Sequence, residues 1–237
     1  MTYSYIDLLA LLGVGSAHPG GFSQTKQLLR SLPITSKTSV FDAGCGTGRT
    51  AAYIANEYRC PVTALDLNPM MLEKAKKRMQ REKAAVTLMQ GNVEQLPFPD
   101  SSFDLVLTES VAAFTHIQKT LKEMNRVLKP NGYLAGIEMT VERTLRPDEK
   151  AEIQRLYGAN EYLTEAEWYN RLQHAGFSNV QIVHGSTAAA SQYTAEQPDW
   201  DLSSQIDASV YSVWAHHETI LAKYGHLLGH RVFICQK

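Results

Sequence analysis

Along this chain, short apolar runs alternate with longer stretches in which apolar positions recur every three or four residues, and the alternation begins near residue 39. Residues 39–42 read as a buried strand. The stretch after it carries Ala51, Ile54, Ala55 and Tyr58 on one helical face. Residues 62–66 form a second strand, and Leu72, Ala75 and Met79 face inward from the helix that follows. Asn68 caps that helix and Pro69 takes its first position, where a missing N–H costs nothing. Residues 86–90 and 103–108 are the next strands, the latter preceded by the turn Pro99-Asp100-Ser101-Ser102. Ile117, Leu121, Met124 and Leu128 mark a helix that ends at Lys129-Pro130-Asn131-Gly132, before a fifth strand at 133–139. Thr164 and Glu167 make a capping box for a helix that buries Trp168, Leu172 and Ala175 and stops at Gly176. Residues 180–184 and 231–235 complete the strands. Upstream, residues 3–12 predict a short helix, the glycine-rich run 13–21 breaks regular structure, and Ser23 stands where it would cap a second helix to about Leu32. Alternating strands and helices predict an α/β fold with a parallel sheet covered on both faces. Its ligand crevice lies at the carboxyl ends of the strands, where strand order reverses.

Two segments stand outside the alternation, 140–160 and 185–223. The second contains a helix with Ile206, Val210, Val213, His217, Ile220 and Tyr224 on one side. Both are expected to form a cap over the crevice, with Tyr193, Trp200, Tyr211 and Trp214 lining the cap or its core. A length of 237 residues, 44% hydrophobic, suits one substantial core. The expectation is a single domain: an arm at 1–32, a ligand-binding core at 33–139, cap segments at 140–160 and 185–223, and completion of the sheet by 161–184 and 224–237. A net charge of -1 argues against a general nucleic-acid binder. Cys45, Cys60 and Cys235 show neither metal nor framework spacing, so a reduced, cytoplasmic setting is expected. The apolar run 6–12 is too short to span a bilayer and has no positive charge ahead of it.

The chemistry concentrates in Val40-Phe41-Asp42-Ala43-Gly44-Cys45-Gly46-Thr47-Gly48-Arg49-Thr50, which reads as strand, glycine turn and helix start. Glycine lets a backbone bend tightly and lets a ligand press against bare peptide. Asp66, at the tip of the next strand, lies 22 residues after Gly44, the interval of a ribose-binding acid. Arg49 stands where a GxGxxG dinucleotide motif has its third glycine, which disfavours a nicotinamide dehydrogenase. The combination describes a nucleoside-binding α/β enzyme.

Four blocks, at 40–48, 64–71, 91–103 and 126–140, resemble the class I S-adenosylmethionine-dependent methyltransferases. The resemblance is to the small-molecule group that includes ubiquinone and menaquinone methyltransferases, and it extends to 164–184. It implies a Rossmann-like, doubly wound, mostly parallel sheet with an antiparallel last strand and helical cap segments. It also implies S-adenosylmethionine as cofactor. By this resemblance the turn from Asp42 to Thr47, through the peptides of Ala43, Gly44 and Gly46, lines the methionine portion. Asp66 holds the ribose, and Leu67 or Met71 packs on the adenine. Asn92 accepts from the adenine amino group while the Val93 N–H donates to the ring. The family has Asp where Asn92 stands; Asn still accepts a hydrogen bond but lacks the charge. Thr108, Glu109 and Ser110 are implied to face the sulfonium and the acceptor, although Glu109 reads equally well as a solvated loop acid. Glu138 ends the fifth strand on the acceptor side. The segment 126–140 resembles a quinone-methyltransferase signature with Asn131 replacing a glycine, but the N-terminal His- and Trp-containing signature of those enzymes is missing, which argues against a quinone acceptor.

The arm 13–22 is read as a lid over the cofactor with His18 near the reacting methyl, the alternative being a mobile helix connection. His18, Glu109, Glu138 and His116 are the candidate bases. His216, His217, His226 and His230 lack the partners of a convincing ligand set, so no metal is expected. The expected partner is a small-molecule acceptor methylated at O, N, S or C, with no nucleic acid and no membrane span. Two alternatives stand beside it: a nucleic-acid or protein methyltransferase, and a non-catalytic S-adenosylmethionine-binding module. Against the first, the Asn/Asp-Pro-Pro-aromatic motif of amino-methylating nucleic-acid enzymes is replaced here by Thr108-Glu109-Ser110-Val111.

Overall fold

The computed structural model describes residues 3–191 and 199–237. Helices α1 (Tyr5–Leu12) and α2 (Gly21–Arg30) lead into β1 (Val40–Ala43), α3 (Arg49–Tyr58), β2 (Val62–Asp66), α4 (Pro69–Glu82), β3 (Val86–Gln90) and β4 (Phe103–Glu109). After a single 3-10 turn at Ala112–Phe114 come α5 (Ile117–Val127), β5 (Leu128–Val141), α6 (Pro147–Tyr157), α7 (Glu165–His174), β6 (Ser178–Thr187), the short α8 (Ala188–Ser191), α9 (Val210–Tyr224) and β7 (Leu228–Gln236). The strands form one sheet in the order β3-β2-β1-β4-β5-β7-β6. The first five run parallel, and β7 is antiparallel to both its neighbours. Strand order reverses between β1 and β4, where Ala43 pairs with Thr108, so the glycine turn and Glu109 emerge side by side.

Strands buried on both faces explain why the apolar runs are nearly continuous. Phe41, Leu65 and Val106 point to a layer with Leu121, Met124, Trp168 and Leu172; Val40, Leu105 and Leu107 point to the other, with Leu28, Leu29 and Ile54. Each such side chain removed from water contributes about 1.5–3 kcal/mol. The one polar atom of Trp168 is satisfied by donating to the Met139 carbonyl at 2.9 Å.

Local signals place the starts of elements less well than their middles. Helix α2 begins at Gly21 with Gly20 as its cap at φ 84°, earlier than a Ser23 cap would allow; the Ser23 hydroxyl instead donates back to the Gly20 carbonyl. Strand β5 begins at Leu128 rather than Tyr133 because Leu128 pairs with Phe103 across an irregular register. Strands β6 and β7 both outrun their apolar cores, since β7 is held on two sides from Gly229 to Gln236.

Segments 140–160 and 185–223 supply α6, α8 and α9, and α1 joins them. Leu8, Leu11 and Leu12 pack with Val210, while Ile153, Leu156 and Tyr157 pack with Ile220 and Tyr224. Trp200, Tyr211 and Trp214 are 42%, 58% and 37% exposed, so they lie on the outer surface rather than in the core; Tyr193 lies outside the described residues. After α1 the chain becomes a strap. The Gly15 N–H donates to Asp199 O, the Asp201 N–H to Gly13 O and the Ser203 N–H to Leu11 O. Lys74 of α4 fastens it by donating to the carbonyls of Leu11 and Asp201. No helix among the described residues is long and apolar enough to cross a membrane.

His217 sits between Tyr5 and Tyr157, with its Nδ1 3.0 Å from the Tyr157 hydroxyl, and burial depresses its imidazole to about 4. The unfolded chain then binds this proton more readily than the folded one. The resulting stability is fully present above the unfolded value of about 6.5 and is lost as pH falls toward 4. We expect His217→Phe to flatten the pH dependence of thermal unfolding between pH 4 and 6.5. An unchanged slope would show that His217 is not the source of acid lability in this cap.

Candidate active site

The turn after β1 is tied to β2 by the N–H groups of Gly44 and Cys45, both donating to Leu65 O at 2.7 and 2.9 Å. Gly44 has φ 81°, and a Cβ there would stand 2.3 Å from a methyl of Val111, so no larger residue fits. Gly46 also has positive φ, at 52°, but a Cβ there would meet nothing within 4 Å: its bare peptide faces open space at the strand ends. Its N–H donates to Asp66 Oδ2 at 2.7 Å, and the Asn68 N–H donates to Asp66 Oδ1 at 2.8 Å. Buried Arg78 holds the far side of the turn by donating to Thr47 O at 2.9 Å. Its other nitrogens reach Asp199 at 2.5 Å and Glu82 at 2.9 Å.

Three carboxylates converge here. Asp42 is 2% exposed, and burial, then the charges of Glu109 and Asp66, push its carboxyl well above the ordinary range against one backbone N–H from Ala51. Burial also raises Asp66, opposed by the N–H groups of Asn68, Gly46 and Leu67. Asp42 Oδ2, Thr47 Oγ1 and Ser110 Oγ are buried without a hydrogen-bond partner among the described residues. S-adenosylmethionine carries an ammonium and a sulfonium. A cation beside these acids relieves their mutual repulsion, and the unpartnered oxygens and open Gly46 peptide match its polar methionine end. Leu67 is 64% exposed, an apolar surface available to a flat ring, whereas Met71 is buried in the packing of α4. Asn92 is exposed; its Oδ1 accepts from the Glu94 N–H at 2.8 Å and retains a second lone pair. The Val93 side chain is buried.

Glu109 is not a solvated loop acid. Thr25 donates to its Oε1 at 2.5 Å and Thr50 to its Oε2 at 2.7 Å, and His18 Nε2 lies 3.5 Å from Oε1. The structure thus brings two sequence-predicted residues, His18 and Glu109, together through Thr25, while Thr50 holds the other oxygen of Glu109; sequence reasoning missed both threonines. The only local signal for Thr25 was a polar residue on the buried face shared with Leu28 and Leu29.

Glu138 has a different position from the one expected. It is 0% exposed, and its carboxylate receives Thr108 Oγ1 and the N–H groups of Val111, Ala112 and Ala113 at 2.8–3.3 Å. Its four donors tie it to shaping the loop after β4, and its complete burial leaves no surface to face an acceptor. His116 is likewise committed: it is exposed and caps α5, with Nδ1 accepting from the Lys119 N–H. Among the described residues no three His, Cys, Asp or Glu side chains are grouped to hold a metal ion.

Residues 41–136 match the family model described as "Methyltransferase domain". YodH of Bacillus subtilis, an uncharacterized methyltransferase, is 38% identical over 98% of this chain and 99% of its own length. The ubiquinone/menaquinone biosynthesis C-methyltransferase UbiE of Bartonella quintana is 32% identical over 70% of this chain and 74% of its own. The solved structure of Haemonchus contortus phosphoethanolamine N-methyltransferase 2 in complex with S-adenosyl-L-methionine shares the fold at TM-score 0.75 and 20% identity, covering 100% of this chain and 58% of that one.

Two outcomes are expected at this site. Asp66→Ala weakens S-adenosylmethionine binding by roughly tenfold or more, since a hydrogen bond to a charged group is worth about 1.5–3 kcal/mol. Calorimetry with an unchanged affinity and an unchanged circular dichroism spectrum would remove Asp66 from the ribose position. The second concerns pH. With Asp42 raised, the stability it contributes is present below its unfolded value near 3.8 and is lost as pH rises through the raised folded value. A bound cation pulls that value back down, so binding releases protons and tightens as pH rises through the same window. Calorimetry in buffers of different ionisation heat counts those protons; a count of zero across the window would contradict the carboxylate cluster as the cation site.

Proposed function

We propose that this chain, which belongs to the class I S-adenosylmethionine-dependent methyltransferase family, methylates a small-molecule acceptor. S-adenosylmethionine supplies a methyl group already activated on a sulfonium. The protein's work is then to orient the partners, exclude water and, for an acceptor that keeps its proton, remove it; orientation alone supplies roughly 7–11 kcal/mol of such barriers. In this reading Asp42, Ala43, Gly44, Gly46 and Thr47 hold the methionine end and Asp66 holds the ribose. Leu67, Asn92 and Val93 border the adenine, and Glu109 and Ser110 stand on the acceptor side. The core 33–139 binds the cofactor, while the arm 1–32 and the segments 140–160 and 185–223 close over it. Segments 161–184 and 224–237 complete the sheet. The three free cysteines suit a reduced, cytoplasmic setting.

The observation that carries the small-molecule reading is the strap. Gly13–Gly15 and Asp199–Ser203 are bonded to Arg49 at the start of α3 and to Lys74 and Arg78 in the middle of α4, the helices that follow β1 and β2. A strap anchored on these two helices suits an acceptor small enough to enter whole, and the near-zero net charge offers no footprint for a polyanion. Relatives named as C- and O-methyltransferases bracket the acceptor atom without choosing it.

Incubating the protein and labelled S-adenosylmethionine with fractionated cell extract tests the reading. Label is expected in the low-molecular-weight or lipid fraction. Label in RNA or protein would overturn it, and tight binding with no transfer to any fraction would favour a sensing module. A second expectation concerns the arm. Deleting residues 1–22, or loosening the strap with Asp199→Ala, raises the cofactor off-rate in stopped-flow; an unaltered off-rate in both variants makes the arm a connection rather than a lid.

A further inference from the structure

The bonds around His18 and Glu109 require a specific number of protons. His18 Nδ1 lies 3.1 Å from the Pro19 carbonyl, which only accepts, so Nδ1 carries a hydrogen. His18 Nε2 lies 3.0 Å from Thr25 Oγ1, and Thr25 Oγ1 lies 2.5 Å from Glu109 Oε1. Thr25 has one hydroxyl hydrogen and cannot donate along both bonds. A second proton must therefore sit in this chain of atoms. It is either on Nε2, giving an imidazolium and a carboxylate, or on Glu109, giving a neutral imidazole and a carboxylic acid. Both arrangements have the same net charge and interconvert when the hydrogens shift one bond along. The side chains of His18 and Glu109 are 2% and 9% exposed, and Thr25 is fully buried, so water has little access to any of them. The direct His18–Glu109 separation of 3.5 Å is at the limit for a hydrogen bond, which leaves the Thr25 hydroxyl as the path. Both imidazole nitrogens are engaged in this arrangement, so His18 itself presents no free nitrogen to an acceptor.

We propose that Thr25 joins His18 and Glu109 into one proton-sharing unit, in which Glu109 meets the acceptor and His18 stores the proton behind it. The inference rests on the acceptor-side reading of Glu109 given above. The step balances as follows. From the acid form, the Glu109 hydrogen moves to Thr25 Oγ1 as the Thr25 hydrogen moves to Nε2. Glu109 is left as a carboxylate. An acceptor that must lose a proton breaks its X–H bond and keeps the electron pair on X, and the proton bonds to Glu109. Thr50, donating to Oε2, holds the carboxylate plane throughout. Thr25 is a positioning residue here and touches no substrate. The other titratable groups on this side of the site are Asp42 of β1, whose carboxyl feels the Glu109 charge, Asp66 of β2, and His230 of β7. A Cβ on Gly20, at the start of α2, would stand 3.5 Å from the Nε2 of His230.

The test needs no acceptor. Nitrogen-15 histidine NMR on the full-length protein at pH 7 distinguishes a protonated ring nitrogen from a bare one, and the resonances of His18 are those lost in His18→Gln. In the parent protein Nε2 is expected to carry a measurable share of the proton. Glu109→Gln removes the second proton site, so Nε2 becomes bare and accepts from Thr25. Thr25→Val, nearly the same shape without the hydroxyl, also strips the proton from Nε2, and Thr25→Ser restores it. Circular dichroism and thermal unfolding show that each variant is folded. An Nε2 signal that is the same in the parent and Glu109→Gln would overturn the sharing, and one unmoved by Thr25→Val would overturn the role of Thr25. Neither result depends on which extract fraction takes up label, so this proposal and the small-molecule reading fail separately.

Discussion

Three carboxylates end three neighbouring strands, and the arrangement of the site follows from keeping them there. Asp66, Asp42 and Glu109 sit at the carboxyl ends of β2, β1 and β4, which are adjacent in the sheet. A parallel sheet aims all three at one small volume, where burial and like charge oppose ionisation. The surrounding structure answers each acid with a donor of its own. The Gly46 peptide serves Asp66, the first turn of α3 serves Asp42, and hydroxyls from α2 and α3 serve Glu109. The compensation stops short at Asp42, whose second oxygen is left for something else.

Glu138 shows what a fully answered acid looks like. It is as deeply buried as Asp42 and burial raises it too, yet four donors close around it. Its charge does a structural job, bending the chain after β4 so that Val111 lies over Gly44. The contrast between a well-answered carboxylate on β5 and an incompletely answered one on β1, two strands apart, separates scaffold from site more cleanly than residue type does. It also explains the division of labour among the cations. Arg78 and Lys74 are buried at the turn and the strap but spend their donors on carbonyls and on Asp199, Asp201 and Glu82, outside the acid cluster.

The parts legible in the sequence were those whose causes are local. Asn68 and Pro69 announce α4, Thr164 and Glu167 announce α7, and the Gly44–Gly48 turn announces the strand–helix junction, because each acts within one turn of chain. The doubly wound, mostly parallel sheet, its antiparallel last strand and the family followed from matching the four motif blocks to known methyltransferases. What stayed hidden was set by distant partners. The ends of β5, β6 and β7 depend on ladder pairing. The outward-facing Trp200 and Trp214, expected to line the cap or its core, take their exposure from tertiary packing that no local signal sets. Glu138 and His116 have the right residue types for a base, and only the structure shows Glu138 buried among four donors and His116 exposed as the cap of α5. Thr25 and Thr50 are ordinary threonines until Glu109, far along the chain, arrives between them.

The strap has a consequence for how the molecule is made. Leu8, Leu11 and Leu12 of α1 bury themselves against Val210, and Gly15 bonds Asp199, so this helix finds its partners only in segments made long after it. At 5–20 residues per second the apolar side of α1 waits roughly 10–40 s, exposed, while the sheet assembles without it. Through that interval α1 carries an apolar stripe whose partner does not yet exist, a cost of closing a layer with two segments so far apart in sequence.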